Sequence, residues 1–185
     1  MRASVSFTRD DLSTPVGTML IVSDAEARVR AIDWSDYEPR MLRLLRLHYG
    51  DGSLQLRAAR TAPAVRERIE RYFAGELRAI DEIPTATGGT TFQREVWAAL
   101  RSIAPGKTLS YAELALRIGR PRAVRAVGLA NGANPIGVVV PCHRVIGTNR
   151  SLTGYGGGLP RKRWLLAHEG VALPASRIVS GSPVA

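Results

Sequence analysis

The sequence predicts an α+β chain in two parts, a small sheet-and-helix half followed by a mostly helical half. Three observations carry that expectation. Two β-rich segments stand near the start with a polar turn between them. Further on, apolar residues recur at helical spacing behind Ser/Thr caps. Between the two regions, PTATGG (84–89) reads as a linker and coincides with a break in charge.

VGTMLIV (16–22) and ARVRAIDW (27–34) are rich in β-branched residues and flank SDAEA, the pattern of a hairpin. YEPRMLRLLRLHYG then sets Met41, Leu44, Leu45 and Leu47 close to helical spacing and stops at Gly50. AVRERIERYFAG repeats the pattern, with Val65, Ile69 and Tyr72 or Phe73 on one face. Behind the linker, Thr90 and Gln93 form a capping box ahead of Phe92, Val96, Trp97, Leu100 and Ile103. Ser110 and Glu113 make a second box for YAELALRI, which Gly119 ends. Pro121 suits the first turn of a further helix, PRAVRAVGLANG, so the tight turn Gly119-Arg120 joins a helix-turn-helix candidate.

Composition narrows the function. The chain has 185 residues and one cysteine, which excludes an internal disulfide and a zinc site built on several thiolates. The first residues lack the apolar core of a signal peptide, and no stretch approaches the roughly 20 apolar residues of a membrane span. A cytoplasmic protein is expected. Residues 1–89 hold 13 Arg and Lys against 13 Asp and Glu, and residues 90–185 hold 13 against 3, so the whole net charge of +10 lies in the second half. Such asymmetry points to a polyanionic partner. Arg120, Arg122 and Arg125 stand among Ala123, Ala126, Gly128 and Ala130, making a helix that is cationic and nearly free of bulk. Its backbone can approach a groove closely. It also lacks most of the side chains that read base edges, so little sequence preference is expected.

The lone thiol is in VVVPCHRV. IGVVV (136–140) reads as a short buried strand ended by Pro141, which lets Cys142 emerge at the strand end, with Asn134 and Pro135 as the turn before it. A thiol needs a base to become nucleophilic near neutral pH, and His143 is the candidate. Neighbours in an extended segment point to opposite faces, so a water between thiol and imidazole is expected. An acid must orient the imidazole, and the second half offers only Glu95, Glu113 and Glu169. TGYGGGLPRKRW (153–164) matches no phosphate-binding motif and reads as a mobile glycine wall over a pocket, with Tyr155 inside it.

SYAELA, RAVG, NGANP, VVPCHRVIG, TGYGGG and WLLAHEG stand in the order and spacing of one family. Across residues 90–170 the chain closely resembles the O6-alkylguanine-DNA alkyltransferases, the methylated-DNA–protein-cysteine methyltransferases, in their stand-alone bacterial form. The resemblance implies a ribonuclease H-like α+β domain at 1–86. It implies a DNA-binding and alkyl-transfer domain with a winged-helix-like helix-turn-helix at 87–172; after it, the composition of 173–185 reads as a flexible tail. The resemblance also implies a monomer that binds duplex DNA by the minor groove, flips out the alkylated base and moves the alkyl group irreversibly to its own cysteine. Residue by residue, Cys142 is then the acceptor, His143 the base acting through water, and Glu169 its orienting acid. Asn134 braces the active-site turn and Tyr111 crowds the phosphate and protonates the departing guanine. Arg125 fills the gap left by the flipped base, with Arg122, Ala126 and Gly128 also on the DNA. Backbone at Cys142 and Val145 reads the base beside Tyr155 and Gly156. Relatives often carry serine or a larger side chain where this chain has Gly156, which implies a roomier pocket that accepts bulky adducts. Two other readings compete: a cysteine hydrolase, which would turn over repeatedly, and a damage sensor, whose family relatives lack the acceptor cysteine.

Overall fold

The computed structural model describes residues 5–51 and 54–173. A four-stranded mixed sheet, in the order β3-β2-β1-β4, forms the first half. Its strands are β1 (Val5–Thr14), β2 (Gly17–Ser23), β3 (Val29–Trp34) and β4 (Leu54–Ala58). β2 and β3 pair antiparallel as the expected hairpin. Sequence reasoning missed β1 and β4, which pair parallel at the other edge. Asp10 hid β1: a buried acid contradicts a strand pattern until its partners are known. Here it accepts from the Thr61 backbone N–H at 3.1 Å and from Arg66 at 3.0 Å.

Met19 to Ser23 of β2 are all buried, so this sheet is covered on both faces. On one face Leu20, Val22 and Ala31 pack with Met41 and Leu45 of α1 (Glu38–Tyr49). On the other, Met19, Ile21 and Ile32 join Val65 and Ile69 of α2 (Pro63–Phe73), and the same cluster runs on into Val96, Leu100, Leu114 and Val127 of the second half. Each such aliphatic side chain taken from water contributes about 1.5–3 kcal/mol. α1 ends at Gly50 as expected, but Leu47 is 72% exposed because its helical position faces away from the sheet.

The outer edge of β3 carries the connection to the second half. Val29 N–H donates to Pro84 O at 2.8 Å and Ala86 N–H to Val29 O at 3.0 Å, so the PTATGG segment lies along the strand it follows. Further along that edge, Ile32 N–H donates to Pro135 O at 2.9 Å and Gly137 N–H to Ile32 O at 3.0 Å. Pairing of this kind blunts an open sheet edge, and it fixes the loop that precedes Cys142 against the first half.

In the second half, α3 (Thr91–Arg101) and α4 (Tyr111–Arg117) both begin with the expected capping boxes. α5 spans Val124–Gly132. Pro121 and Arg122 precede it in a turn closed by Ala123 N–H to Arg120 O at 2.9 Å, so the helix starts later than its proline suggested. β5 (Leu109–Ser110) and β6 (Val145–Ile146) pair parallel, which brings the first residue of α4 beside the Cys142 segment. α6 (Leu159–His168) closes the fold, and Val171 and Leu173 pack onto Ile146, Leu152 and Leu166. The remainder of the expected tail, 174–185, lies outside the described residues.

Candidate active site

IGVVV is buried, as its composition predicts, but it is not a strand. Only Ile136 bridges β3, and Val138 turns back with φ +67°. Asn134 explains the difference. Its Nδ2 donates to Val140 O at 2.8 Å and to Ile136 O at 3.3 Å, while its Oδ1 accepts from Ile136 N–H at 3.0 Å. Those bonds satisfy the backbone locally, so a buried β-branched run folds into a compact loop instead of a ladder. Cys142 N–H donates to Val140 O at 2.8 Å, and Cys142–Arg144 form a 3-10 turn. Thiol and imidazole thus sit on neighbouring residues of a turn, not at the end of an extended strand.

His143 is wholly buried, and its Nε2 lies 2.9 Å from Glu169 Oε1. The carboxylate assigns the tautomer: Nε2 carries the hydrogen, and Nδ1, buried without a partner, is left as the basic atom. Of the three acids considered, Glu95 pairs with Arg120 and Glu113 caps α4, so neither reaches the imidazole. Two partners of Glu169 were not foreseen. Arg144 donates from Nε to Oε2 at 2.9 Å and from Nη2 to Oε1 at 2.8 Å, and Tyr72 O–H donates to Oε1 at 2.8 Å. One arginine in a basic half carries no local signal of burial. Nothing local reveals Tyr72, which lies 97 positions away.

Protonation follows from burial. Burial alone would raise the Glu169 carboxyl, but the His143 contact and the Arg144 fork outweigh it and hold the acid well below its usual range. Burial pushes His143 down against the pull of Glu169, so the imidazole is neutral. Burial likewise pushes the Cys142 thiol up; Asn134, Arg40 and Lys162 pull the other way without overcoming it. At rest the site holds a protonated thiol and a neutral imidazole.

Lys162 is fully buried and was missed, because a lysine between two arginines carries no local signal of burial. Its Nζ donates to Val145 O at 2.6 Å, Thr153 O at 2.7 Å and Gly154 O at 3.2 Å. Burial lowers it to about 8, partly opposed by Cys142. This one ammonium ties the segment after the thiol to the glycine loop. The loop is further held by Gly157 packed against Trp34 and by Gly156 packed against Arg40. A Cβ at Gly156 would stand 2.6 Å from Arg40 Nη2, so the absent side chain leaves no spare room in the pocket, contrary to expectation. The glycines allow close approach, and the loop is braced rather than free.

Tyr111 opens α4, and its hydroxyl donates to Thr153 O at 3.3 Å. Burial raises its phenol, and Cys142 is near enough to add to the rise. Tyr155 stands with its ring 6.4 Å from that of His143 and its hydroxyl buried without a partner. Cys142, His143, Glu169, Asn134, Tyr111, Val145 and Tyr155 are therefore gathered in one place. Arg122, Arg125 and Ala126 are exposed outside it, on α5 and the turn before it; Gly128 is half-buried, and a Cβ there would lie 3.8 Å from the Tyr111 ring. Arg120 is held by Glu95 at 3.0 Å and over the Phe92 ring, which removes it from the free cations. Among the described residues, no group of three or more His, Cys, Asp or Glu side chains could hold a metal ion.

Comparison with known proteins shows the family. Residues 91–171 match the family model for the 6-O-methylguanine DNA methyltransferase DNA binding domain. A methylated-DNA–protein-cysteine methyltransferase of Salmonella typhimurium is 52% identical over 164 residues, covering 89% of this chain and 96% of the relative. The protein of the same description from Shigella flexneri is 49% identical over the same span and shares of each chain. Among solved structures, Mycobacterium tuberculosis OGT in complex with DNA superposes with a TM-score of 0.72 at 36% identity, covering 91% of this chain and 96% of that one.

Proposed function

Since the chain belongs to the methylated-DNA–protein-cysteine methyltransferases, we propose that it repairs duplex DNA by moving the alkyl group of O6-alkylguanine, and of O4-alkylthymine, to Cys142 Sγ. The observation that carries this reading is the buried His143–Glu169 contact on the residue next to the only cysteine. Residues 87–172 bind and repair the DNA, and residues 1–86 brace the site through Arg40 and Tyr72. No helix among the described residues is long and apolar enough to cross a membrane, and repair takes place in the cytoplasm.

The reaction balances without metal or cofactor. The thiol proton passes through a water to His143 Nδ1, and Glu169 stabilises the imidazolium that results. Sγ attacks the saturated carbon as its bond to the guanine oxygen breaks, and Tyr111 gives its proton to the departing base. The phenolate recovers a proton from His143. A thioether and an unmodified base remain, and because water does not reverse a thioether, one protein molecule repairs one lesion.

Flipping is required because a base stacked in the duplex cannot meet a buried thiol. Its cost, about a few kcal/mol, is lowest at a badly paired base. A monomer enters the minor groove with α5, and Arg125 fills the gap while Arg122, Ala126 and Gly128 face the backbone. The carbonyls of Cys142 and Val145 and the N–H of Gly156 address the base beside Tyr155. Incubation with a duplex carrying O6-methylguanine, followed by peptide mass spectrometry, tests the reading. One methyl on Cys142 and an end to reaction after one equivalent are expected. Repeated turnover, methylation elsewhere, or undiminished transfer by Cys142→Ala would overturn it.

A further inference from the structure

An exposed leucine alone signifies nothing. Leu129 is informative because of where it stands. α5 buries Val127, Ala130 and Asn131 and turns Arg125, Ala126, Leu129 and Gly132 outward, with Leu129 65% exposed. Positions 125 and 129 are about one helical turn apart, so the guanidinium and the isobutyl group are neighbours on the outer face. Arg122 and Arg125 make no hydrogen bond or ion pair among the described residues, whereas Arg120 is tethered to Glu95. The face expected to be nearly free of bulk thus carries one large apolar side chain, next to the two cations left for a polyanion.

We propose that Leu129 packs against the deoxyribose walls of the DNA minor groove beside Arg125, giving the protein a share of DNA affinity that salt does not weaken. The proposal rests on the reading that α5 enters the groove. Phosphate contacts release counterions and fade steeply with ionic strength. Sugar C–H edges line the minor groove, and proteins that bind there frequently carry apolar side chains into it. A leucine in that position loses water-exposed apolar surface on binding, a gain that ionic strength leaves almost untouched. In an RNA–DNA hybrid the same groove displays 2′-hydroxyls, which an isobutyl group cannot hydrogen-bond.

The test is fluorescence anisotropy with an unmodified duplex across a salt series. Leu129→Ala should weaken binding by about 5- to 10-fold at every salt concentration, the loss expected for part of a leucine's burial, with the slope of log K against log salt unchanged. Leu129→Asn, close in size, should weaken it as well, and both variants should keep the wild-type unfolding midpoint. Leu47→Ala, which removes an exposed leucine from α1, should do nothing. Arg122→Ala and Arg125→Ala should flatten the salt slope. Normal affinity in both Leu129 variants, with weakened binding in the arginine variants, overturns the leucine contact alone. Normal affinity in all four overturns α5 as the groove element too. A changed salt slope in Leu129→Ala would show an electrostatic role and overturn the proposal equally.

Discussion

The Arg40 guanidinium occupies the space that a side chain at residue 156 would need, and it is not free to leave. It donates to Asp33 Oδ2 at 2.6 Å, to Gly132 O at 2.7 Å and to Asn134 O at 3.1 Å, joining the first half of the chain to the end of α5 and the start of the active-site loop.

Gly156→Ala should therefore act on the scaffold instead of the pocket. The methyl group must displace Arg40 from three acceptors, an overpacking cost of about 1–3 kcal/mol. Transfer of benzyl and of methyl from the guanine oxygen should slow by the same factor, with a lower unfolding midpoint. Single-turnover rates on both adducts check this; selective slowing of benzyl transfer would restore the steric reading.

Asn134→Ala should loosen the loop that presents the thiol. It leaves the Ile136 N–H without its acceptor and removes the side-chain donor from Val140 O. Each buried group left unpaired costs about 1–3 kcal/mol. Val140 O also accepts from Cys142 N–H, so the transfer rate should fall along with stability. Chemical denaturation and single-turnover kinetics report the two losses, and a variant as stable as the wild type would refute the bracing role.

Tyr111→Phe keeps the ring that Gly128 packs against and loses the proton donor. Alkyl transfer should slow by about 10²–10⁴-fold, the usual range for removing a general acid. Binding of an unmodified duplex should be unchanged. Rate constants measured at saturating protein separate the two effects, and a normal rate would take the donor role from Tyr111.

The pH dependence of the reaction follows from His143. In the proposed mechanism its neutral form accepts the thiol proton, and its folded pKa lies below the ordinary 6.5. The transfer rate should decline on acidification with a midpoint below 6.5, apart from any change near 8 where Lys162 titrates. Single-turnover measurements across pH check the limb; a midpoint above 6.5 would contradict a neutral buried base.

Stability should respond to acid in the same direction. A folded value held below the unfolded one means stability that is complete above the unfolded pKa and is lost as pH falls through the folded one. That applies to His143 below its ordinary 6.5 and to Glu169 below its ordinary 4.5. Glu169→Gln should remove the second component, and at neutral pH it should cost about 3–5 kcal/mol because Arg144 becomes a buried cation without a counter-charge. Urea denaturation at several pH values tests both statements, and unchanged stability would mean that the pair contributes nothing.

By itself, the sequence determined whatever neighbours along the chain decide. Capping boxes at Thr90–Gln93 and Ser110–Glu113, the β2–β3 hairpin and the stop at Gly50 rest on groups a few residues apart, so the local pattern carries them. PCHRV likewise set the lone thiol beside a histidine, and the motif order announced the family. Tertiary structure alone decided the rest. Asp10 became a strand residue because Arg66 and the Thr61 amide meet it, and IGVVV became a loop because the Asn134 amide supplies bonds that a strand would have sought from a neighbour. Arg144 and Lys162 went inside because a carboxylate and three carbonyls were waiting for them. A buried charge is stable only beside groups that the fold itself assembles, and those partners leave no periodicity in the sequence.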